Sequence, residues 1–133
     1  MAFETKKNVL ESVVAEAHEE LNTIGAEMQD DFDEKGERWQ ESDKGQDLVS
    51  AAEHFSGLDY PEPPDELKSL DVEYQQVINK NPTRAARRDN AVHALDAVAS
   101  AVKALEESDA NSMFIDDLEQ LISDADSMEP IGK

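Results

Sequence analysis

The residues of this chain whose types and spacing invite chemistry are carboxylates and imidazoles. His18-Glu19-Glu20-Leu21-Asn22 approaches H-E-x-x-H, a pattern in which two imidazoles one helical turn apart hold zinc. Asn22 stands where the second imidazole belongs, so the set is one ligand short. Asp31-Phe32-Asp33-Glu34-Lys35-Gly36 opens like a calcium loop. Such a loop needs an oxygen ligand at its fifth position and a bidentate glutamate at its twelfth, and those places hold Lys35 and Ser42. The histidines are His18, His54 and His93, and none has the Glu-x-x-His spacing of a di-iron bundle. The absence of cysteine excludes disulfides, thiolate metal sites and thiol catalysis.

Glu16 with Glu19, and Glu27 with Asp30, have the E-x-x-[DE] spacing by which all-α pyrophosphohydrolases hold magnesium. All four fall on one helical stretch and converge only if it breaks near Gly25. The expectation is no catalytic residue, no metal and no cofactor. A magnesium-dependent nucleotide pyrophosphohydrolase remains the enzymatic alternative.

The elements that would position these groups are helical. Val9, Leu10, Val13, Val14, Ala17, Leu21, Ile24, Met28 and Phe32 recur at three- and four-residue steps. Leu10, Val14, Ala17, Leu21, Ile24 and Met28 form a seam at heptad spacing, predicting a helix from about Thr5 to about Lys35. Gly25 marks a close crossing or a bend within it. Gly36 and Trp39-Gln40-Glu41-Ser42 read as a turn. Ser42 then caps a second helix with Leu48, Val49, Ala52 and Phe55 inward, ended by Gly57. Residues 58–64 form a Pro-rich connector. A third helix follows with Leu67, Leu70, Tyr74, Val77 and Ile78 on one face, and Pro82 opens a fourth, alanine-rich helix. Phe114, Leu118, Leu121, Ile122, Ala125 and Met128 mark a fifth. The expected fold is all-α, a bundle of about five helices arranged as antiparallel hairpins with no sheet. It is read as one domain over 1–133, with an N-terminal hairpin at about 5–57 and C-terminal helices at about 65–128. The aromatics Phe3, Phe32, Trp39, Phe55, Tyr60, Tyr74 and Phe114 are expected chiefly as core anchors.

Charge dominates the composition: 32 Asp and Glu oppose 12 Lys and Arg, net −20 in 133 residues. Residues 1–58 carry −10, residues 104–133 carry −8, and residues 81–103 reverse to +2. A field of this sign repels nucleic acid and attracts basic partners. No stretch approaches the roughly 20 apolar residues that span a bilayer. The only basic cluster is Lys80, Arg84, Arg87 and Arg88; its helical spacing suits pairing with the protein's own acidic helices. The densest acidic run is Glu27, Asp30, Asp31, Asp33, Glu34, Glu37, Glu41 and Asp43. If helical, it carries roughly one net charge per 4 Å, against about 1.7 Å for duplex DNA. Asp116, Asp117, Glu119, Asp124 and Asp126 would supply a second row. Such a run is either a binding surface or a solvated face that maintains solubility.

Trp39-Gln40-Glu41-Ser42-Asp43-Lys44-Gly45, between two helices, resembles a hairpin of small acidic phage and prophage proteins with the pattern [WL]-Q-x-S-[DE]-[KR]-G. The likeness covers about residues 28–57, and the second helix here is shorter and less acidic than in that group. The resemblance implies a phage or mobile-element setting and carries no assigned chemistry.

These readings converge on a non-enzymatic inhibitor or DNA mimic in the cytoplasm of a bacterial host cell. It would occlude the basic surface of a nucleic-acid-binding host protein in defence, repair or transcription. Direct contact with nucleic acid or membrane is not expected. The expected partner-binding residues are Glu27, Asp30, Asp31, Asp33, Glu34, Glu37, Trp39, Glu41 and Asp43. The alternative is a structural or chaperone-like helical module, a homodimer through the heptad seam.

Overall fold

The computed structural model describes residues 2–78, 80–105 and 108–131, with side chains from Glu4 onward. The domain expected over 1–133 also takes in Met1, Asn79, Glu106, Glu107, Gly132 and Lys133, which lie outside the described residues, as does the side chain of Phe3. The order is β1 (Ala2–Val9), α1 (Leu10–Asp33), α2 (Glu37–Gln40), α3 (Asp43–Ser56), a 3-10 turn (Asp65–Leu67), β2 (Asp71–Ile78), α4 (Arg84–Lys103) and α5 (Asp109–Asp126).

The all-α expectation is corrected. β1 and β2 form a two-stranded antiparallel sheet, in register from Ala2 opposite Ile78 to Val9 opposite Asp71, so the fold is α+β. The helix expected across 65–80 fails because its apolar residues satisfy two periods at once. Leu67, Leu70, Tyr74 and Val77 match a helical face. Val72 and Tyr74 are buried while Asp71, Glu73 and Gln75 are exposed, which is strand alternation. β-branched and aromatic residues fit a pleated surface, and residues 2–9 supply the partner strand. The first helix therefore starts at Leu10 rather than near Thr5.

The sheet also replaces a missing cap. Val9, at the N-cap of α1, offers no side-chain oxygen. The Leu10 N–H donates instead to the Leu70 carbonyl at 2.7 Å, and the Glu11 N–H to the Lys68 carbonyl at 3.1 Å. Two of the amides orphaned at a helix start are satisfied by the approach to β2. Elsewhere the caps are local: Ser42, Thr83 and Ser108 accept from the N–H groups of Gly45, Ala86 and Asn111. Pro82 precedes the Thr83 cap instead of occupying the first helical position.

The heptad seam is spent inside the molecule. Leu10, Val14, Leu21, Ile24 and Met28 are each 0% exposed and Ala17 is 5% exposed. Those side chains pack in the core with Phe55, Leu95, Phe114 and Leu118, so the seam expected to join two copies faces the interior of one chain. α3 returns antiparallel along α1. At their crossing a Cβ on Gly25 would stand 2.6 Å from the Ser56 nitrogen and 2.9 Å from the Ala52 carbonyl oxygen. Gly25 thus serves a close crossing, and α1 continues through it unbroken. α4 packs on α1, on α5 and against β2. Among the described residues no helix is long and apolar enough to cross a membrane.

Candidate partner-binding surface

The acidic run begins in the second half of α1, where the basic start of α4 crosses it. Arg87 places Nη1 2.7 Å from Glu27 Oε1 and Nη2 2.9 Å from Glu27 Oε2, and its Nε bonds Glu20. Arg84, with a side chain only 6% exposed, pairs with Asp31 at 2.8 Å and Glu27 at 3.3 Å, and donates to the Ile131 carbonyl. Arg88 turns the other way, to Asp89 at 2.8 Å, Glu129 at 3.1 Å and the carbonyls of Ala125 and Met128. The basic cluster therefore binds α4 to α1 through Arg84 and Arg87. Arg88 binds it to the end of α5, a direction the sequence did not indicate.

Helix dipoles explain the arrangement. α1 ends on Asp30, Asp31 and Asp33 with no base in its last turn, and α5 ends with no base either. α4 starts on arginines with no acid in its first turn. Each end carries the charge its own dipole disfavours. Packed together, the cations of the α4 start offset the carboxylates and carbonyls at the other two ends. His54 Nε2 adds a bond to the Asp124 carbonyl at the same end of α5. The hydrogen bond from Arg87, aided by Arg84 and opposed by partial burial, holds the Glu27 carboxyl below its usual value. Burial alone would lower Arg87 and Arg88. Carboxylate hydrogen bonds outweigh it and raise both guanidinium values.

Glu27 and Asp31 are thus committed to the fold. Asp30, Asp33, Glu34, Glu37, Glu41 and Asp43 are exposed. Among the described residues none of these six pairs with a basic side chain. Asp33 accepts one hydrogen bond, from Gln29 at 3.0 Å. The six surround the corner where α1 turns through α2 into α3.

The Trp39–Gly45 turn builds that corner. Gln40 Nε2 donates to the carbonyls of Phe32 (2.8 Å) and Lys35 (3.1 Å), closing the end of α1. Ser42 caps α3 and its hydroxyl donates to the Trp39 carbonyl. Gly45 leaves room for the carbonyl of Gln40, which a Cβ there would approach to 2.5 Å. Trp39 is half-buried against the core, with Lys35 Nζ 5.5 Å from its ring centroid. Trp39, Gln40, Ser42 and Gly45 thus each have a structural task, while Asp43 and Lys44 are exposed, and Trp39 presents only part of its ring to a partner.

The second acidic row lies apart from the first. It rides on α5, and its neighbours across a shallow groove are Asp59 and Tyr60 of the connector, beside Asp117 and Asp124. Glu119 is paired with Lys103 at 2.9 Å. The connector acids were missed because Asp59 and Glu62, set among prolines, carry no helical period. Glu16, Glu19, Glu27 and Asp30 all lie on unbroken α1, the outer two about 21 Å apart along the axis. Among the described residues no group of three or more His, Asp or Glu side chains is placed to hold a metal. No family model, curated protein or solved structure matches the chain.

Proposed function

We propose that the chain is a non-enzymatic acidic inhibitor that occupies the basic, nucleic-acid-binding surface of a host protein. Its contact surface is the α1–α2–α3 corner, read as Asp30, Asp33, Glu34, Glu37, Glu41 and Asp43. One observation carries this reading: Arg84 and Arg87 are consumed internally by Glu20, Glu27 and Asp31, while these six acids stay exposed without a basic partner among the described residues. Acids at the end of α1 oppose its dipole, so the fold does not account for them. The phage setting rests on the likeness of the Trp39–Gly45 turn, and the cytoplasm of a bacterial host is the compartment it implies.

The test is capture from a bacterial lysate by immobilised protein, followed by elution with duplex DNA and, separately, with salt. The expected yield is a basic nucleic-acid-binding protein, released by DNA and steeply by salt. A variant carrying Asp30→Lys, Asp33→Lys, Glu34→Lys and Glu37→Lys should keep its helical circular dichroism and capture nothing. Asp31 is left intact because it holds Arg84. Capture that survives both DNA and these reversals overturns the proposal.

A further inference from the structure

A two-stranded sheet has two outer edges, and among the described residues a neighbouring helix grips the backbone of only one of them. On β2, Asn90 of α4 grips Val77 at both backbone groups. The Val77 N–H donates to Asn90 Oδ1 at 3.0 Å, and Asn90 Nδ2 donates to the Val77 carbonyl at 3.1 Å. The side-chain amide thus stands in for a neighbouring strand. It also fixes the phase of the ladder. Val77 directs its N–H and C=O away from β1, so the Phe3–Val77 pair exchanges no hydrogen bonds, and bonded pairs alternate from there. Glu4, Lys6 and Asn8 face inward to Gln76, Tyr74 and Val72, and the phase continues into the Leu10–Leu70 bond.

Phe3, Thr5 and Lys7 therefore direct their N–H and C=O groups outward. The outward N–H of Val9 is taken by Asn8 Oδ1 at 2.9 Å. Among the described residues no side chain or strand meets the outward groups of Thr5 and Lys7, and residues 4–8 are all exposed.

We propose that this edge joins the same strand of a second copy, antiparallel about Thr5, giving a four-stranded sheet in the order β2–β1–β1–β2. Only the odd-numbered residues offer backbone groups, so odd must face odd. Three registers keep the middle of the strand paired. Centring on Glu4 opposes Glu4 to Glu4, and centring on Lys6 opposes Lys6 to Lys6. Centring on Thr5 opposes Glu4 to Lys6 twice, while Thr5–Thr5 and two Phe3–Lys7 pairs exchange the backbone bonds. Opposite charges directly across a ladder stabilise it and like charges destabilise it. Among the described residues neither Glu4 nor Lys6 has an ion pair within its own chain. Charged edge strands ordinarily discourage pairing; this charge pattern rejects two registers and accepts the third. The contact is short, so the dimer belongs to the weak, concentration-dependent class.

Sedimentation equilibrium of the full chain, from low micromolar to sub-millimolar concentration, tests this at physiological ionic strength. The wild type should follow a monomer–dimer equilibrium. Glu4→Lys and Lys6→Glu should each raise the dissociation constant about tenfold or more, with unchanged circular dichroism. The double variant E4K/K6E should restore it. An equimolar mixture of the two single variants should form the heterodimer, since each lysine of one strand then faces a glutamate of the other. Net charge alone predicts the opposite for Glu4→Lys, which reduces repulsion between copies of a −20 chain. A monomer at every concentration, or a dimer indifferent to these reversals, overturns the proposal.

Discussion

Arg87 clasps Glu27 through two parallel hydrogen bonds, Nη1 to Oε1 at 2.7 Å and Nη2 to Oε2 at 2.9 Å, across 60 residues of sequence. Planar guanidinium matches planar carboxylate, a fit that lysine cannot reproduce. Arg84 reaches the same Oε1, so Glu27 is the point at which α4 is fixed on α1. Glu27→Gln should cost about 1–3 kcal/mol of unfolding free energy, as a charge-assisted pair is lost and two partly buried cations remain. Arg87→Lys should cost nearly as much as Arg87→Ala. Urea denaturation checks both, and a harmless Arg87→Lys would refute the bidentate account.

The same pair gives a pH signature. The Arg87 hydrogen bond, with Arg84, keeps the folded Glu27 carboxyl below its ordinary value of 4.5. The unfolded state then binds more protons through the acid range, so the contribution is complete above about pH 4.5 and lost as pH falls through the folded value. The stability gap between wild type and Glu27→Gln should be flat from pH 7 to about 5 and shrink below about 4.5. Comparison with the variant removes the opposing effect of discharging the other acids. A gap that widens on acidification would contradict this sign.

Asn90 holds the outer edge of β2, so Asn90→Ala should release one donor and one acceptor at once. Amide exchange at Val77 should accelerate, and stability should fall by about 1–2 kcal/mol. Exchange at Tyr74, bonded within the ladder to Lys6, should change much less. Equal acceleration at both positions would mean that Asn90 supports the whole sheet rather than its edge.

How far the fold was legible follows from these residues. The seam from Leu10 to Met28 was readable because helical burial repeats within one element. The pairing of Arg84 and Arg87 with acidic helices was readable because the start of α4 offered three cations and the charged groups of the flanking helices are carboxylates. The strands were not, for two reasons. The middle of β1 reads Glu-Thr-Lys-Lys-Asn, polar on both faces, and has no signal without its partner. β2 carries apolar residues that fit a helix as well as a strand, and only pairing across about 60 to 75 residues decides between them. Within the acidic run, sequence distinguished neither Glu27 nor Asp31 from their neighbours. Their commitment to Arg84 and Arg87 depends on where α4 crosses.

Gly25 sits where α3 presses on α1, with the Ser56 nitrogen and the Ala52 carbonyl inside the reach of any Cβ. In an open helix Gly→Ala adds up to about 1 kcal/mol of stability. Here Gly25→Ala must separate two backbones, and a net loss of about 1–3 kcal/mol is expected. Thermal unfolding decides between the two signs.

The exposed acids at the end of α1 allow the fold and the proposed function to be set against each other. Asp33 and Glu34 are exposed, meet no base among the described residues, and lie at the negative end of the α1 dipole. Asp33→Lys with Glu34→Lys should therefore stabilise the isolated protein, by about 0.5–1.5 kcal/mol from the dipole alone and further from reduced self-repulsion. A rise of a few degrees in Tm is the expected result, larger at low salt. Residues whose reversal stabilises the fold are held there by something other than the fold, which is what a partner-binding role requires. If Tm falls instead, these carboxylates support the helix end, and the argument from surplus charge loses its premise.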